Sequence, residues 1–511
     1  MLLHTVVETS RSVASTRSRK AKITELRALL ERAAPHEVEP VVAWLSGEMT
    51  QGRIGVGYRT LAGLDVAPAP RPSLTVDDLS SALDRLAGVS GAGSTAARRS
   101  LLGDLFAAAT GDEQRFLVAL LGGELRQGAL EGVMTDAVAA AAGLPVEPVR
   151  RAVMLSGRLA QAAAAAFTGG VDALAAFRLE LGRPVRPMLA SPADSLDAAL
   201  TEFDGAVSVE YKLDGARIQV HRRDEDVWVF TRTLRDITSS VPELVELVRN
   251  LPCRSVVLDG ETLALTDAGR PRPFQETMSR FGARSERDLL LHPYFFDCLH
   301  LDGDDLLDAP LSTRLDRLDG VAGPHRIPTV FAPDLDGAEA HLGAALGSGH
   351  EGVMVKSLAS TYTAGRRGRA WQKVKPEHTL DLVVLGAEWG YGRRTGYLSN
   401  LRLGARDPDG GPPIMVGKTF KGLTDAVLRW QTEEFPRHES HRDAQTVYLR
   451  PEIVVEIELD GVQVSPRYPG GVALRFARVL RYRPDKSAAE ADTIDAVRAL
   501  LPAGDGLPWK G

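Results

Sequence analysis

The sequence predicts three domains of different class in series: an all-α bundle, an α+β domain and a small C-terminal β-barrel. Three observations carry this. At 511 residues the chain is too long for one hydrophobic core, so about three units of ordinary size are expected. The spacing of apolar residues turns from helical to extended at the proline-rich stretch "LGRPVRPMLASPADS" (181–195). A second change near residue 378 leads into short strands separated by glycine-rich turns. The boundaries drawn from these shifts are 1–181, 182–377 and 378–511.

The first segment has helical apolar spacing in "KITELRALLERA" and "LFAAATGDEQRFLVALLGGEL", and nine or ten helices are expected. In "APAPRPSLTVDDLSSALDRL", Thr75 with Asp78 three residues later reads as a helix start after a proline-punctuated loop. The second segment offers the strands "VSVEYKL", "RIQVHRR", "VWVFTRT", "SVVLDGETLAL" and "HPYFFDCLHLDG", with helices such as "SVPELVELVRNL" between them. In the third, "TLDLVVLGAEWGYG", "LSNLRLGARD", "PPIMVGKTF", "IVVEIELDGVQVS" and "LRFARVLRYR" make five short strands, with one helix at "LTDAVLRWQTEEF". That count fits a Greek-key barrel of the OB type.

Composition narrows the class. Hydrophobic residues at 44% and charged residues at 25% are those of a globular protein, and no run approaches the ~20 apolar residues of a membrane span. The N-terminus "MLLHTVVETSRS" lacks the layout of a secretory signal, and two cysteines, Cys253 and Cys298, cannot build a zinc ribbon or a disulfide framework. A reducing cytoplasm is the expected location. The net charge of −6 argues against a simple non-specific nucleic-acid coat. Residues 361–406 nevertheless hold nine basic against three acidic residues, a patch suited to phosphate or, equally, to a solvated face.

Chemistry concentrates around "VSVEYKLDGARIQVHR" (207–222), where an apolar strand stops for Lys212, Asp214 and Gly215. The local alternative is a hairpin, since Asp-Gly is a strong turn signal. A lysine is nucleophilic only when neutral, which requires desolvation or neighbouring cations. Flanking apolar residues supply the first; Lys356 in "HEGVMVKS" and Lys373 with Lys375 in "WQKVKPEH" supply the second if the fold gathers them. Lys373 and Lys375 would share one face of a strand, tolerable over a phosphate or in open solvent. Asp259 and Glu261 in "VVLDGETLAL" and Glu351 in "GHEGVMVKS" stand at strand ends, as turn residues or as carboxylates for Mg2+. Phe296 is by residue type a core aromatic or a stacking platform.

Taken in order, Lys212-Leu-Asp-Gly, Arg232 in "FTRTLRDIT", "LDGE", "YFFD", "HEGVMVK", "WQKVK" and "RYRPDK" resemble the motifs of the covalent nucleotidyltransferases, and within them the ATP-dependent DNA ligases. The resemblance covers nearly the whole chain; "GGELRQGALEGVMTDAVAAAAG" is similar to a helix pair of the ligases' helical DNA-binding domain. It implies a middle adenylation (nucleotidyltransferase) domain in which Lys212 attacks the ATP α-phosphorus and carries AMP to the 5′-phosphate of a nick. It further implies that Glu210 reads the adenine amino edge and Phe296 stacks on the base. Arg217, Arg232 and Glu261 would hold the sugar and flanking groups, with Glu351 and Glu261 beside Mg2+. Arg367, Lys373 and Lys375 would neutralise phosphate, and Lys356 would belong to the nucleotide-binding set. Arg483, Asp485 and Lys486 of the barrel would close over ATP, by a hinge near Lys375-Pro376-Glu377. Two departures stand out: Thr231-Arg232-Thr233 replaces the usual Ser-Arg-Asn, and Gln372 replaces a more hydrophobic residue.

The rival readings are an RNA ligase or capping guanylyltransferase, neither expected to carry the helical domain, and a non-catalytic nick-binding protein. An NAD-dependent ligase would need four zinc-binding cysteines. No polymerase or nuclease segment is attached, against an end-joining fusion. Nicked duplex DNA is the expected partner and a monomer the expected state; no clamp-binding peptide is evident, so a sliding clamp stays open.

Overall fold

Helix starts in the first 180 residues are set by short polar side chains. Ser18 accepts from the Ala21 N–H (3.2 Å), Thr75 and Asp78 exchange bonds (2.9 and 3.1 Å), and Thr110 does the same with Glu113. The structure, a computed structural model, describes residues 1–501 apart from 53, 58, 59, 62, 92, 126–130, 267, 268, 273–276, 278–280, 282–289, 365 and 366. Among the described residues nine helices precede the proline-rich stretch: Leu3–Ser15, Arg19–Leu30, Pro35–Leu45, Val76–Gly88, Ser94–Ala108, Gly111–Leu121, Glu131–Ala142, Val146–Ser156 and Leu159–Ala175. Their apolar stripes meet in one core that includes Val6, Leu26, Val41, Trp44, Leu83, Leu117 and Val138. The alanine run of the last helix belongs to it: Ala162, Ala163 and Ala166 are buried. No described helix is long and apolar enough to cross a membrane.

Among the described residues ten strands follow: β1 (Leu189–Pro192), β2 (Val207–Lys212), β3 (Ala216–Arg223), β4 (Asp226–Thr231), β5 (Ser255–Ala264), β6 (Leu291–Leu301), β7 (Asp304–Asp305), β8 (Thr329–Phe331), β9 (Gly352–Ser357) and β10 (Arg367–Val374). They form two sheets, ordered β1-β10-β9-β2-β8 and β4-β3-β5-β6-β7. Val207, Val209, Val353 and Val355 pack outward on the helix Leu335–Gly347, while Ile218, Val220 and Leu258 share a core with helices Pro242–Arg249 and Leu311–Ala322. A third apolar cluster, with Leu213, Phe296, Tyr362 and Trp371, includes residues of both sheets.

The stretch Lys212-Leu-Asp-Gly is therefore no hairpin. β2 lies in one sheet and β3 in the other, so these residues cross from sheet to sheet. Gly215 is required by close approach: a Cβ there would meet the carbonyl oxygen of Thr262 and lie 2.6 Å from Leu263 Cδ2.

The last segment holds β11 (His378–Trp389), β12 (Leu398–Ala405), β13 (Ile414–Thr419), β14 (Glu439–Arg442), β15 (Thr446–Leu449), β16 (Val454–Leu459), β17 (Gly461–Val464), β18 (Val472–Arg475) and β19 (Arg478–Tyr482). β11 pairs with β12, β15 and β16, and β17 with β18 as a separate hairpin. Sequence reading found five strands here, and the difference has local causes. β14 is polar and largely exposed, so it shows no apolar alternation. "IVVEIELDGVQVS" breaks at Asp460, and "LRFARVLRYR" breaks at Phe476, whose φ of 55° is left-handed. The expected helix appears as Asp425–Glu434, capped by Thr424.

Candidate active site

Alternation along β2 sends Val207, Val209 and Tyr211 to one side and Ser208, Glu210 and Lys212 to the other. Registry with β9 and β10 extends the second face: Lys212 lies opposite Gly352, Glu210 opposite Met354 and Ser208 opposite Lys356, while Lys356 lies opposite Trp371 and Met354 opposite Lys373. Lys212, Glu210, Lys356, Lys373 and Trp371 thus share one face of three adjacent strands.

The Lys212 ammonium pairs with the Glu351 carboxylate, and the Glu351 N–H donates to the Lys212 carbonyl (3.0 Å). The barrel reaches the same place. Arg475, at the end of β18, donates to both oxygens of Asp214 (2.6 and 3.2 Å) and lies 3.7 Å from Glu351. Lys375 pairs with Asp460 of the barrel and Lys356 with Glu210. The expectation that Lys356 and Lys375 crowd Lys212 with positive charge is thereby corrected: each has a carboxylate of its own, and Lys212 faces a third. Lys375 also lies beyond the end of β10, so it does not continue the strand face of Lys373.

Behind this face, Arg217 donates to both oxygens of Asp259 (3.0 and 2.6 Å) and to the Met188 carbonyl (2.7 Å). The Tyr362 hydroxyl donates to Asp259 (2.7 Å) and accepts from the Met188 N–H (3.0 Å). Glu261, opposite Arg217 in the ladder, has its carboxyl pushed up to about 8 by burial, which Arg217 and Lys212 only partly offset. Phe296 is buried edge-on to Trp371, with the Arg217 guanidinium 5.4 Å and the Lys356 ammonium 4.4 Å from its ring centroid. Arg232 is exposed in the turn after β4 and lines a small cleft with Arg217 and Asp259. The Arg367 side chain lies outside the described residues.

Arg483, Asp485 and Lys486 follow β19. Arg483 donates to Asp381 on β11 (3.0 and 3.1 Å) and to Asp485 (2.7 Å), and Lys486 donates to Asp381 (2.5 Å). Asp381, Arg475 and Trp371 escaped the sequence reading. An acid inside the apolar run "LDLVVL" and an aromatic two residues before Lys373 are signals for the first and last; nothing local marks Arg475.

A family model for the ATP dependent DNA ligase domain matches residues 187–375, one for the DNA ligase N terminus matches 62–139, and one for the ATP dependent DNA ligase C terminal region matches 394–486. The chain is 75% identical to a probable DNA ligase of Rhodococcus jostii (strain RHA1) over 502 residues, covering 98% of this chain and 100% of that one. It is 54% identical to a probable DNA ligase of Mycobacterium bovis (strain BCG / Tokyo 172 / ATCC 35737 / TMC 1019), covering 98% and 100%. The solved structure of Pmar-Lig_PreS3 shares the fold with a TM-score of 0.59 at 17% identity, over 94% of this chain and 99% of that one. With three consecutive domain models, near-complete alignment to its relatives and a lysine placed among carboxylates at a crossing between sheets, the chain belongs to the ATP-dependent DNA ligase family.

Proposed function

We propose that this protein seals nicks in duplex DNA through an AMP adduct on Lys212. The observation that carries the reading is the placement of Lys212: it ends β2 beside Glu351, on the face that also presents Glu210, Lys356 and Trp371. A nucleotide lying along that face has its α-phosphorus at Lys212. One ammonium proton passes to Glu351, the Lys212 nitrogen attacks that phosphorus, the N–P bond forms as the bond to pyrophosphate breaks, and the second proton leaves to the pyrophosphate or solvent. AMP then moves to the 5′-phosphate of the nick, and the 3′-hydroxyl displaces it. Positioning and electrostatics do most of the work in such transfers.

Glu351 and Glu261 are hard oxygen donors of the kind suited to Mg2+. The ion would supply neutralisation of phosphate charge there. Lys373, Lys375 and Arg367 would add to it, with Arg217 and Arg232 on the sugar side. Arg483 and Lys486 would leave Asp381 and, with Asp485, meet the departing pyrophosphate. We divide the chain at about 181 and 377, as helical, adenylation and barrel units, with a monomer acting on DNA in the cytoplasm. Incubation with α-labelled ATP and Mg2+ tests the reading: label on Lys212 that survives denaturation and alkali and is released by acid, as an N–P bond requires, from ATP and not from GTP or NAD, is the expected result.

A further inference from the structure

The stretch that joins the bundle to the middle domain, "GRPVRPM" (182–188), carries prolines at 184 and 187. Proline has no N–H to donate, so this segment makes no continuous ladder with a strand. Side chains hold it instead, and they come from three alternate residues of β3. Arg217 donates to the Met188 carbonyl (2.7 Å). Gln219 accepts from the Val185 N–H (2.8 Å) and donates to the Val185 carbonyl (3.3 Å), and His221 Nδ1 accepts from the Gly182 N–H (3.2 Å).

Two periodicities make the match. Side chains two apart on a strand share a face, and backbone groups three apart share an edge of an extended proline-rich segment. Positions 217, 219 and 221 therefore meet 188, 185 and 182, with the linker antiparallel to β3. The intervening Ile218 and Val220 go to the core on the other side. Gln219 and His221 are both buried, and polar groups in a strand interior are costly unless paired. Burial, with His300 nearby, pushes the His221 imidazole down to about 3, so it stays neutral and Nε2–H donates to Gln219 Oε1 (2.9 Å).

The bundle grips the same segment from its other side. The Arg186 N–H donates to the Met154 carbonyl (2.9 Å), and the Arg186 guanidinium pairs with Glu131 (2.8 Å). A bundle that shifts to admit a duplex therefore pulls on the linker at 186. Two residues on, the Met188 carbonyl is one of the groups that aim Arg217, the others being the two oxygens of Asp259. Without further anchors, that pull would reach the guanidinium.

Resting on the reading of Lys212 as AMP acceptor with Arg217 on the sugar side, we propose that Gln219 and His221 are positioning residues of the nucleotide site. They fasten the linker to β3 at Val185 and Gly182, and so keep Met188, and through it Arg217, in place while the bundle moves. Neither touches nucleotide. Arg217 acts away from the reacting phosphorus, so its displacement weakens ground state and transition state alike and shows in KM rather than kcat.

The test follows AMP-adduct formation at Lys212 in the full-length protein over a range of ATP concentrations. Gln219→Met keeps the length of the side chain and removes its bonds to Val185 and His221. It should raise KM for ATP about 10-fold and leave kcat within about 2-fold, the scale of one or two lost hydrogen bonds. Pro184→Gly with Pro187→Gly loosens the linker itself and should give the same split, and it takes the place of Gln219→Met should that variant fail to fold. All three substitutions together should do little more than either set alone, since both act through one element. Val220→Ala, on the opposite face of the same strand, controls for stability: it should lower the melting temperature and leave KM unaltered. An unchanged KM in folded Gln219→Met overturns the proposal, as does an equal rise in Val220→Ala, or full additivity of Gln219→Met with the linker glycines. Absence of any adduct in the wild type overturns the parent reading instead.

Discussion

Among single residues, Lys212 is held as half of an ion pair with Glu351, and the proposed attack needs it without its proton. Arginine in its place keeps the charge and cannot shed the proton near neutral pH. Lys212→Arg should therefore give no AMP adduct and no sealing of an ordinary nick, while retaining some sealing of a pre-adenylated nick; gel assays with the two substrates separate the steps. Glu261 makes a different prediction. Its carboxyl titrates at about 8 in the folded protein against an ordinary 4.5, so between those values the folded state binds more protons than the unfolded one. The stability it contributes is complete below the ordinary value and is lost as pH rises through about 8. Glu261→Gln removes this dependence: melting curves across that interval should show the wild type losing stability relative to the variant as pH rises.

Elements impose their own constraints. The crossing from β2 to β3 brings Gly215 against the β5 backbone at Thr262, which cannot move without breaking the β3–β5 ladder. Gly215→Ala should cost about 1–3 kcal/mol, as overpacking does, and should depress adduct formation because Lys212 lies three residues away. Denaturant midpoints and label incorporation measure the two effects. The segment after β19 is under a different constraint. Asp381 holds Arg483 and Lys486 against the barrel, while Arg475 on β18 is the barrel group that touches the Lys212 region. If the segment turns toward ATP only in the first step, Asp485→Ala with Lys486→Ala should slow adduct formation by at least ~100-fold and spare sealing of pre-adenylated nicks. Equal damage to both steps, read from single-turnover rates, would show that the segment serves DNA directly.

In the whole molecule, the helical bundle meets the middle domain through Arg151 on both oxygens of Asp308 (2.7 Å each) and through Arg186 on Glu131 (2.8 Å). It meets the barrel through the exposed pair Arg17–Asp425 (3.1 Å). Exposed pairs of this kind contribute little and yield easily, which suits domains that must part for a duplex. Met154 and Leu155 of the bundle, however, share an apolar cluster with Val185, Met188 and Leu307. A chain beginning near Gly182 should still form the AMP adduct, yet melt at lower temperature and bind nicked DNA weakly, with affinity falling steeply as salt is added. Sealing by that fragment at the full-length rate would show that the first 180 residues do not position DNA.

By itself, the sequence determined the succession of three classes, because apolar period and turn residues are local properties: Thr75 starts its helix and β2 alternates as read. The ordered motifs likewise marked Lys212 and its family, since the chemistry fixes residue types at short spacing. What only tertiary structure decided is which charges meet. That Lys212 faces Glu351 rather than Lys356, that Asp381 holds Arg483 and Lys486, and that Arg475 reaches Asp214 across 261 positions are facts of strand registry and domain placement. Ion pairs follow distance in space, and a chain that crosses between sheets at Lys212-Leu-Asp-Gly sets those distances only once both sheets have formed.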